Sequence, residues 1–373
     1  MSAVLEEHIG YLKLPHRAAL YRDAISAVVR PGDVVADLGC GLGVLGIECL
    51  KAGAAHVYGI DRSDAIELAR ETVARAGLAD RYTCIRGSSF RVELPQQVDV
   101  LICDHVGYFG FDYGIIAMLV DARKRLLKPG GTVIPGDLGL VVAAVGSTRA
   151  RAEVESWTTD PVPGEVGWLQ NYAVNAKHAL VFDADELCSR GSELGRIDLA
   201  QCEAGGFAFS TRIVIDRDCQ LDGLAGWFDT ALAPGVHMTN SPLDPQSIGR
   251  DQAFLPLARP VSVAAGDTVA VSLRADPVND LITWTVTPPG GAAQTMSTWK
   301  SRVLTPQDLV TGQDLPLALN AVGRARQVVL GFVDGKRTAS EIEEAVLAAH
   351  PDLFPSKAEI SRFVRRELGL SAT

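Results

Sequence analysis

Three glycines, each two residues apart, follow a predicted buried strand and form the segment best suited to bind a ligand. Gly39, Gly41 and Gly43 stand behind Asp37 in VADLGCGLGVLG, and a helix is predicted to follow them. Glycines there allow a sharp turn and let a ligand lie against bare backbone, while the helix N-terminus offers N–H donors to a carboxylate. Asp61 ends the next predicted strand, where a carboxylate can accept from both ribose hydroxyls. The pattern predicts a ligand that carries a nucleoside and a carboxylate.

Two ligand classes fit such a loop. Gly41, Gly43 and Gly46 also satisfy G-x-G-x-x-G, the pattern of dinucleotide-binding folds. The acid before the first glycine and the later segment KPGGTVIP are instead usual in methyltransferases. S-adenosyl-L-methionine is therefore the expected cofactor; a nicotinamide dinucleotide, or a loop with a structural role alone, is the alternative.

The surrounding elements predict how this loop is positioned. Strands alternate with amphipathic helices up to about residue 148, which predicts an α/β, Rossmann-like class I methyltransferase domain with a parallel sheet over residues 1–148. Short alternating runs between Gly, Pro and Asp turns then predict a β-sandwich or β-barrel domain over residues 149–310. Helical periodicity returns in residues 318–373, where a small winged-helix-like domain is expected. Thr338, three residues before Glu341, predicts a capping box at the start of one of its helices.

Composition excludes several classes of protein. A net charge of −10 argues against sequence-independent nucleic-acid binding, because that binding requires neutralisation of many phosphates. No apolar run reaches the roughly 18–20 residues of a membrane helix, and MSAVLEEHIG does not resemble a signal peptide. The seven cysteines form no C-x-x-C pair, so we expect free thiols and no metal site. A cytoplasmic protein is expected.

Several longer segments resemble the protein arginine methyltransferase family. EEHIGYLKLPHRAALYRDAI is similar to the family's helix over the cofactor, KAGAAHVYGID to the stretch before the ribose acid, and CDHVGYFGFDYG to the loop with two substrate glutamates. The resemblance is specific over residues 8–145 and looser to about 290. It implies that His8 and Arg17 bind the cofactor, with Arg17 on its carboxylate, and that residues 151–176 form the arm of a homodimer.

The acceptor loop departs from the family. The first substrate glutamate is replaced by Asp104, and the second position holds Tyr113 with Asp112 beside it. Ser247-Ile248-Gly249 replaces the family's Thr-His-Trp. A guanidinium stays protonated and needs two carboxylates to hold it, so the sequence predicts a different acceptor, namely an amine, a ring nitrogen or a hydroxyl. Asp104, Asp112 or His105 could remove a proton from it.

Two further departures lie near the expected cofactor. Tyr11 replaces the family's methionine near the sulfur, and Phe90 replaces the acid near the adenine. Ser88 and Ser89, or backbone groups, are then expected to contact the base. Tyr11 and Tyr113 could orient an acceptor or simply pack over the cofactor.

Residues 330–368, LGFVDGKRTASEIEEAVLAAHPDLFPSKAEISRFVRREL, combine an apolar run, a D-G-x-x-T motif and two helical segments. They resemble the small PqqD-like winged-helix domain, which binds the leader of ribosomally made peptides as an added strand. A dimerisation or lid element is an alternative, and so is a DNA-binding helix, although acidic residues interrupt its basic face. The chain is thus predicted to N-methylate a ribosomally synthesised peptide during natural-product maturation. A small-molecule N- or O-methyltransferase, a divergent arginine methyltransferase and a scaffold without catalysis are the alternatives.

Overall fold

The computed structural model describes residues 3–304 and 319–369. The chain divides into two compact units, and the larger one comprises residues 3–61 and 65–303. The smaller unit is described over residues 319–369. No helix within these described ranges has the length and the apolar character needed to cross a membrane.

A five-stranded parallel sheet forms the first half of the larger unit, as predicted. Its spatial order is β3-β2-β1-β4-β5, so successive connections leave the central strand β1 in opposite directions. That reversal opens a crevice at the carboxyl end of β1, where doubly wound sheets bind ligands. The strands are β1 (Val34–Leu38), β2 (His56–Asp61), β3 (Tyr82–Arg86), β4 (Val98–Cys103) and β5 (Leu127–Ile134).

Five helices accompany this sheet. The second of them buries Tyr21, Ala24 and Ile25 on one face, which is why its apolar residues recur at helical spacing. The helices are α1 (Ala3–Leu12), α2 (Arg17–Val28), α3 (Val44–Lys51), α4 (Ala65–Arg75) and α5 (Ile115–Arg125).

The end of α5 corrects one prediction. The segment IIAMLVDARKRLLKPGG predicts one helix that ends at Pro129-Gly130-Gly131, but α5 ends at Arg125 and these three residues lie within β5. The pairing of β4 with β5 shifts register there, and the Pro-Gly-Gly segment accommodates the shift.

Antiparallel strands form the rest of the larger unit, which confirms its β-rich character. One sheet has the order β7-β12-β10-β6-β8, with β11 on β10, and the other has the order β15-β14-β13-β9. The change from parallel to antiparallel strands falls between residues 134 and 137, so β6 precedes the predicted boundary at residue 148. The strands are β6 (Asp137–Val145), β7 (His178–Leu180), β8 (Ser192–Asp198), β9 (Phe207–Val214), β10 (Cys219–Ala233), β11 (Val236–Thr239), β12 (Gln252–Val263), β13 (Thr268–Asp276), β14 (Leu281–Thr287) and β15 (Gln294–Ser297).

A helical excursion separates β6 from β7, at the predicted arm. It holds α6 (Thr148–Glu155) and α7 (Gln170–Val174), with short 3₁₀ turns at Ser156–Thr158 and Gly164–Leu169. Further 3₁₀ turns lie at Ala184–Glu186 and Thr298–Ser301.

Over residues 319–369 the smaller unit has three helices around its own apolar core, namely α8 (Ala321–Gly331), α9 (Ala339–Ala349) and α10 (Lys357–Glu367). Thr338 and Glu341 form the predicted capping box at the start of α9. The structure has no strand among residues 319–369, so the wing of the predicted winged helix has no counterpart there and that assignment stays a prediction. The core residues are Val329, Ile342, Val346, Ile360 and Val364.

Candidate active site

The glycine loop connects β1 to α3 and has a backbone that only glycine adopts readily. Gly39, Gly41 and Gly43 have φ values of 69°, 52° and 78°, in the left-handed region where a Cβ is strained. The N–H groups of Gly39 and Cys40 donate to the carbonyl of Ile60 at 2.8 and 3.1 Å. The loop is thereby fixed to the end of β2, with bare backbone at the sheet's carboxyl edge.

Two histidines lie against this loop. A Cβ at Gly39 would overlap Cε1 of His105, and a Cβ at Gly41 would lie 2.7 Å from Nε2 of His8. The structure therefore brings together α1, the loop after β4 and the glycine loop, as the resemblance implied. A side chain at either glycine would collide with the neighbouring histidine ring.

The two acids of the predicted cofactor site also hold the loop. Asp61 accepts from the N–H of Gly41 at 2.9 Å, and Asp37 accepts from the N–H of Gly46 at 3.0 Å. Asp37 is only 1% exposed. Burial raises the pKa of Asp37 to about 7, because a carboxylate loses its hydration there, and the charge of Asp61 adds to the shift.

Arg17 and Asp104 form an ion pair with each other. Arg17 is buried, and its guanidinium lies 5.3 Å from the ring centroid of Tyr21 and 6.0 Å from that of Tyr11. Burial lowers the pKa of Arg17. The predicted cofactor-carboxylate ligand and the predicted first substrate acid are thus direct partners.

Asp112 pairs with a lysine of the same chain that could not be identified from the sequence. Its carboxylate pairs with Lys177 and accepts from the N–H of Phe109 at 2.6 Å. The Lys177 ammonium lies 4.4 Å from the ring centroid of Tyr108, and burial lowers its pKa to about 8. Lys177 stands between α7 and β7, in a segment without any motif, so no sequence signal could have identified it.

Arg250 is a second cation that the sequence analysis did not single out. It donates to the carbonyl of Val106 at 2.6 Å and to the hydroxyl of Tyr11 at 3.5 Å. Its guanidinium carbon lies 5.3 Å from the ring centroid of Tyr11 and 5.2 Å from that of Tyr113. Arg250 directly follows Ser247-Ile248-Gly249, which replace the family's Thr-His-Trp. This position beside an altered segment is the signal by which the sequence could have identified it. It joins α1, the loop after β4 and the segment before β12.

The predicted adenine contacts follow β3. Gly87 donates to the carbonyl of Asp61 at 2.9 Å, which holds this segment beside the end of β2. Ser89 is buried and its carbonyl accepts from Arg125, whereas Phe90 is 48% exposed. The carbonyl of Ser88 accepts from the N–H groups of Arg91 and Val92 at 2.8 and 3.1 Å. Contact of these residues with the base stays a prediction.

Replacing Gly39 with alanine is expected to weaken binding of S-adenosylhomocysteine about 100-fold. A left-handed alanine costs about 1–2 kcal/mol, and displacement of His105 adds to that cost. Isothermal titration calorimetry measures the effect. Gly32→Ala is the matched control, since Gly32 has a φ of 94° and no atom within 4 Å of the added Cβ. An equal loss in both variants would contradict this explanation.

Comparison with known proteins agrees with this geometry. The family model of ribosomal protein L11 methyltransferase (PrmA) matches residues 19–173. The probable protein arginine N-methyltransferase 1.2 of Arabidopsis thaliana is 28% identical over 275 residues, which cover 71% of this chain and 75% of that protein. The ribosomal protein arginine N-methyltransferase rmt3 of Schizosaccharomyces pombe is 31% identical over 216 residues, 56% of this chain and 40% of its own length.

Two solved structures share the fold. The Trypanosoma brucei PRMT1 enzyme–prozyme heterotetrameric complex with AdoHcy aligns with a TM-score of 0.71 and 23% identity, over 78% of this chain and 97% of that one. Protein arginine methyltransferase 10 of Arabidopsis thaliana aligns with a TM-score of 0.65 and 20% identity, over 76% and 95%. At these identities the structural matches establish the fold alone. Taken with the glycine loop and the sequence matches, they identify the chain as an S-adenosylmethionine-dependent class I methyltransferase similar to the protein arginine methyltransferases.

Proposed function

We propose that this enzyme methylates a peptide at a group other than an arginine guanidinium. The observation that carries the proposal is the internal pairing of both acids in the loop after β4. Asp104 pairs with Arg17, and Asp112 pairs with Lys177. A guanidinium needs carboxylates that are available to its own N–H fork, and here a cation of the chain already faces each acid.

The second pair argues most strongly against arginine. The side chain of Asp112 is 4% exposed and that of Lys177 is 11% exposed, so a substrate could displace Lys177 only by leaving its ammonium buried without a partner. Such a charge is costly to bury. The names of the curated relatives state arginine N-methylation, which is therefore the first alternative to test.

The described residues support cofactor binding at the carboxyl edge of the parallel sheet. Arg17 has further N–H donors beside its pair with Asp104 and would hold the carboxylate of S-adenosylmethionine with them. Asp61 would hold the ribose, and the bare backbone of Gly39 and Gly41 the nucleoside. His8, Asp37 and Gly43 support that loop, and Ser88, Ser89 and Phe90 would border the adenine. The cofactor supplies an electrophilic methyl carbon on a sulfonium.

The chain's own residues would orient the acceptor. His105 lies against Gly39, with its Nδ1 3.8 Å from Sγ of Cys103, and could take a proton from a nitrogen or hydroxyl. Tyr11 and Tyr113 face Arg250 and would border the acceptor. The sequence analysis predicted a nitrogen acceptor, and that choice of atom is open to the experiments below.

We further propose three functional regions and a homodimer. Residues 1–148 would bind the cofactor, residues 149–310 would contribute to substrate binding and dimerisation, and residues 318–373 would recognise the peptide. Trp157 and Trp168 in the arm are 39% and 63% exposed, which suits an interface. In the smaller unit, Leu330 and Val333 are 49% and 43% exposed and offer an apolar surface for a peptide leader.

The test uses the full chain, tritiated S-adenosylmethionine and two peptides. One is a Gly-Arg-Gly repeat, and the other is a precursor peptide encoded beside the gene. We expect label in the precursor and none in the repeat; methylation of the repeat would reject the proposal, and turnover of small molecules alone would favour the small-molecule alternative.

A matched pair of variants tests the role of the smaller unit. Leu330→Glu is expected to raise the KM for the precursor at least tenfold, because a charge replaces an exposed apolar contact. Val214→Glu is the control, since Val214 is 56% exposed on the larger unit. An unchanged KM in Leu330→Glu would remove the peptide-recognition argument for this surface.

A further inference from the structure

We propose that the acceptor is a carboxylate and that Arg250 recognises it. This inference rests on the proposed function, because it names the chemical class of the group that the same site methylates. It revises the expectation of a nitrogen acceptor.

Three cations face the loop after β4, and two of them form ion pairs. Arg17 pairs with Asp104 and Lys177 with Asp112. Arg250 forms no ion pair with any carboxylate in the part of the chain that the structure describes. The charges of Asp251 and Asp280 act on nearby Tyr108, and that of Asp280 also on Lys177, so they lower the positive charge of this region without pairing with Arg250.

The bound cofactor adds a further positive charge near these three cations. S-adenosylmethionine carries a sulfonium, an ammonium and a carboxylate, and therefore a net charge of +1. A lysine or arginine acceptor would add another cation to a region that already has one unmatched guanidinium. A carboxylate acceptor would instead neutralise that guanidinium, and electrostatic complementarity of this kind selects among substrates.

The geometry of Arg250 suits recognition of a carboxylate. The rings of Tyr11 and Tyr113 are both within 5.3 Å of the guanidinium carbon, and the carbonyl of Val106 accepts one N–H bond at 2.6 Å. The guanidinium is thereby oriented while it remains half-buried. Its hydrogen bonds to Val106 and Tyr11 engage two of five N–H donors, and a planar fork can bind both oxygens of a carboxylate.

Methylation of a carboxylate removes no proton, which agrees with the ion pairs that Asp104 and Asp112 already form. Methylation of a carboxylate forms an O–C bond and breaks the C–S bond of the sulfonium, whose electron pair stays on sulfur. The products are a methyl ester and S-adenosylhomocysteine, and no proton has to be removed. Such a reaction needs no base, whereas a protonated amine would first have to lose a proton to a base such as His105.

The binding test uses the full chain with S-adenosylhomocysteine and three probes. These are the N-acetyl methylamides of glutamate, lysine and arginine, and NMR titration measures their dissociation constants. We expect the glutamate probe to bind at least tenfold more tightly than the other two. Preference for the lysine or arginine probe, equal binding of all three, or no binding of any would overturn the inference.

Variants of Arg250 separate recognition from folding. Arg250→Gln is expected to weaken the glutamate probe at least tenfold, and Arg250→Lys by less, while S-adenosylhomocysteine affinity stays within about twofold. Arg259→Gln is the matched control, because Arg259 is an exposed arginine on β12 of the same unit. An equal effect of Arg259→Gln, or none of Arg250→Gln, would contradict the role of Arg250.

The chemistry of the product distinguishes the two proposals. Label transferred to the precursor peptide should be released as methanol by mild alkali, since methyl esters hydrolyse and N-methyl groups do not. Stable label on an amine would overturn the carboxylate inference and leave the proposed function intact. Stable label on arginine would overturn both.

Discussion

Replacing Lys177 with methionine is expected to lower the free energy of unfolding by about 3–5 kcal/mol. The substitution removes the cation beside Asp112, whose side chain is 4% exposed, and leaves a buried carboxylate without a counter-ion. Its remaining hydrogen bond, from the N–H of Phe109 at 2.6 Å, does not compensate for a full charge. Chemical denaturation followed by far-ultraviolet circular dichroism measures the loss.

Two companion variants make this result specific. The double variant Lys177→Met with Asp112→Asn should recover most of the stability, because the amide oxygen can still accept from Phe109 and no charge remains buried. Lys51→Met is the matched control: Lys51 pairs with Glu48 at 2.8 Å but its side chain is 62% exposed, so we expect a loss below about 1 kcal/mol. Equal losses at both lysines would show that burial of the Asp112 pair is not the cause.

Replacing Asp37 with asparagine is expected to stabilise the cofactor-free protein at pH 8, by up to about 4 kcal/mol. Burial raises the pKa of Asp37 from 3.8 to about 7, so between these values the folded state binds more protons than the unfolded state. The free energy of unfolding therefore falls as pH rises from about 4 to 7, and the full penalty applies above pH 7. Asparagine removes this slope and can still accept from the N–H of Gly46.

The same substitution should change the affinity for S-adenosylhomocysteine by less than about threefold, because asparagine keeps the hydrogen bond from Gly46 that supports the glycine loop. Unfolding curves between pH 4 and 8, together with calorimetric titration, measure both effects. Asp80→Asn is the control, since Asp80 is exposed in a turn of the same unit and should change neither quantity. A variant that is less stable than the parent at pH 8 would show that the charge of Asp37 is compensated in the fold.

The cofactor half of the site was predictable because its information is local. Glycines with a positive φ, a preceding buried strand and a following helix determine the backbone of the loop over a few residues. Asp61 could be placed by the end of the next strand, because parallel strands end at a common edge. The resemblance also placed His8, Arg17 and His105 near that edge, where the structure has them.

The acceptor half was only partly predictable. The sequence showed that the family's glutamates and its Thr-His-Trp triplet are replaced, which argued against a guanidinium. It could not show that Asp104 and Asp112 each face a cation. For the smaller unit, periodicity and the capping box predicted the helices correctly, but helical segments alone do not specify a winged helix.

Sequence by itself thus determined the methyl donor, since the glycine loop and Asp61 encode their geometry within short segments. Only the tertiary structure showed which charges face the loop after β4. Lys177 belongs to a segment without a motif, and Arg250 merely follows the altered Ser-Ile-Gly triplet; both reach the loop after β4 because the antiparallel strands fold back beside the parallel sheet. Long-range packing of that kind leaves no local pattern in the sequence, so the two cations that distinguish this site become visible only in the folded chain.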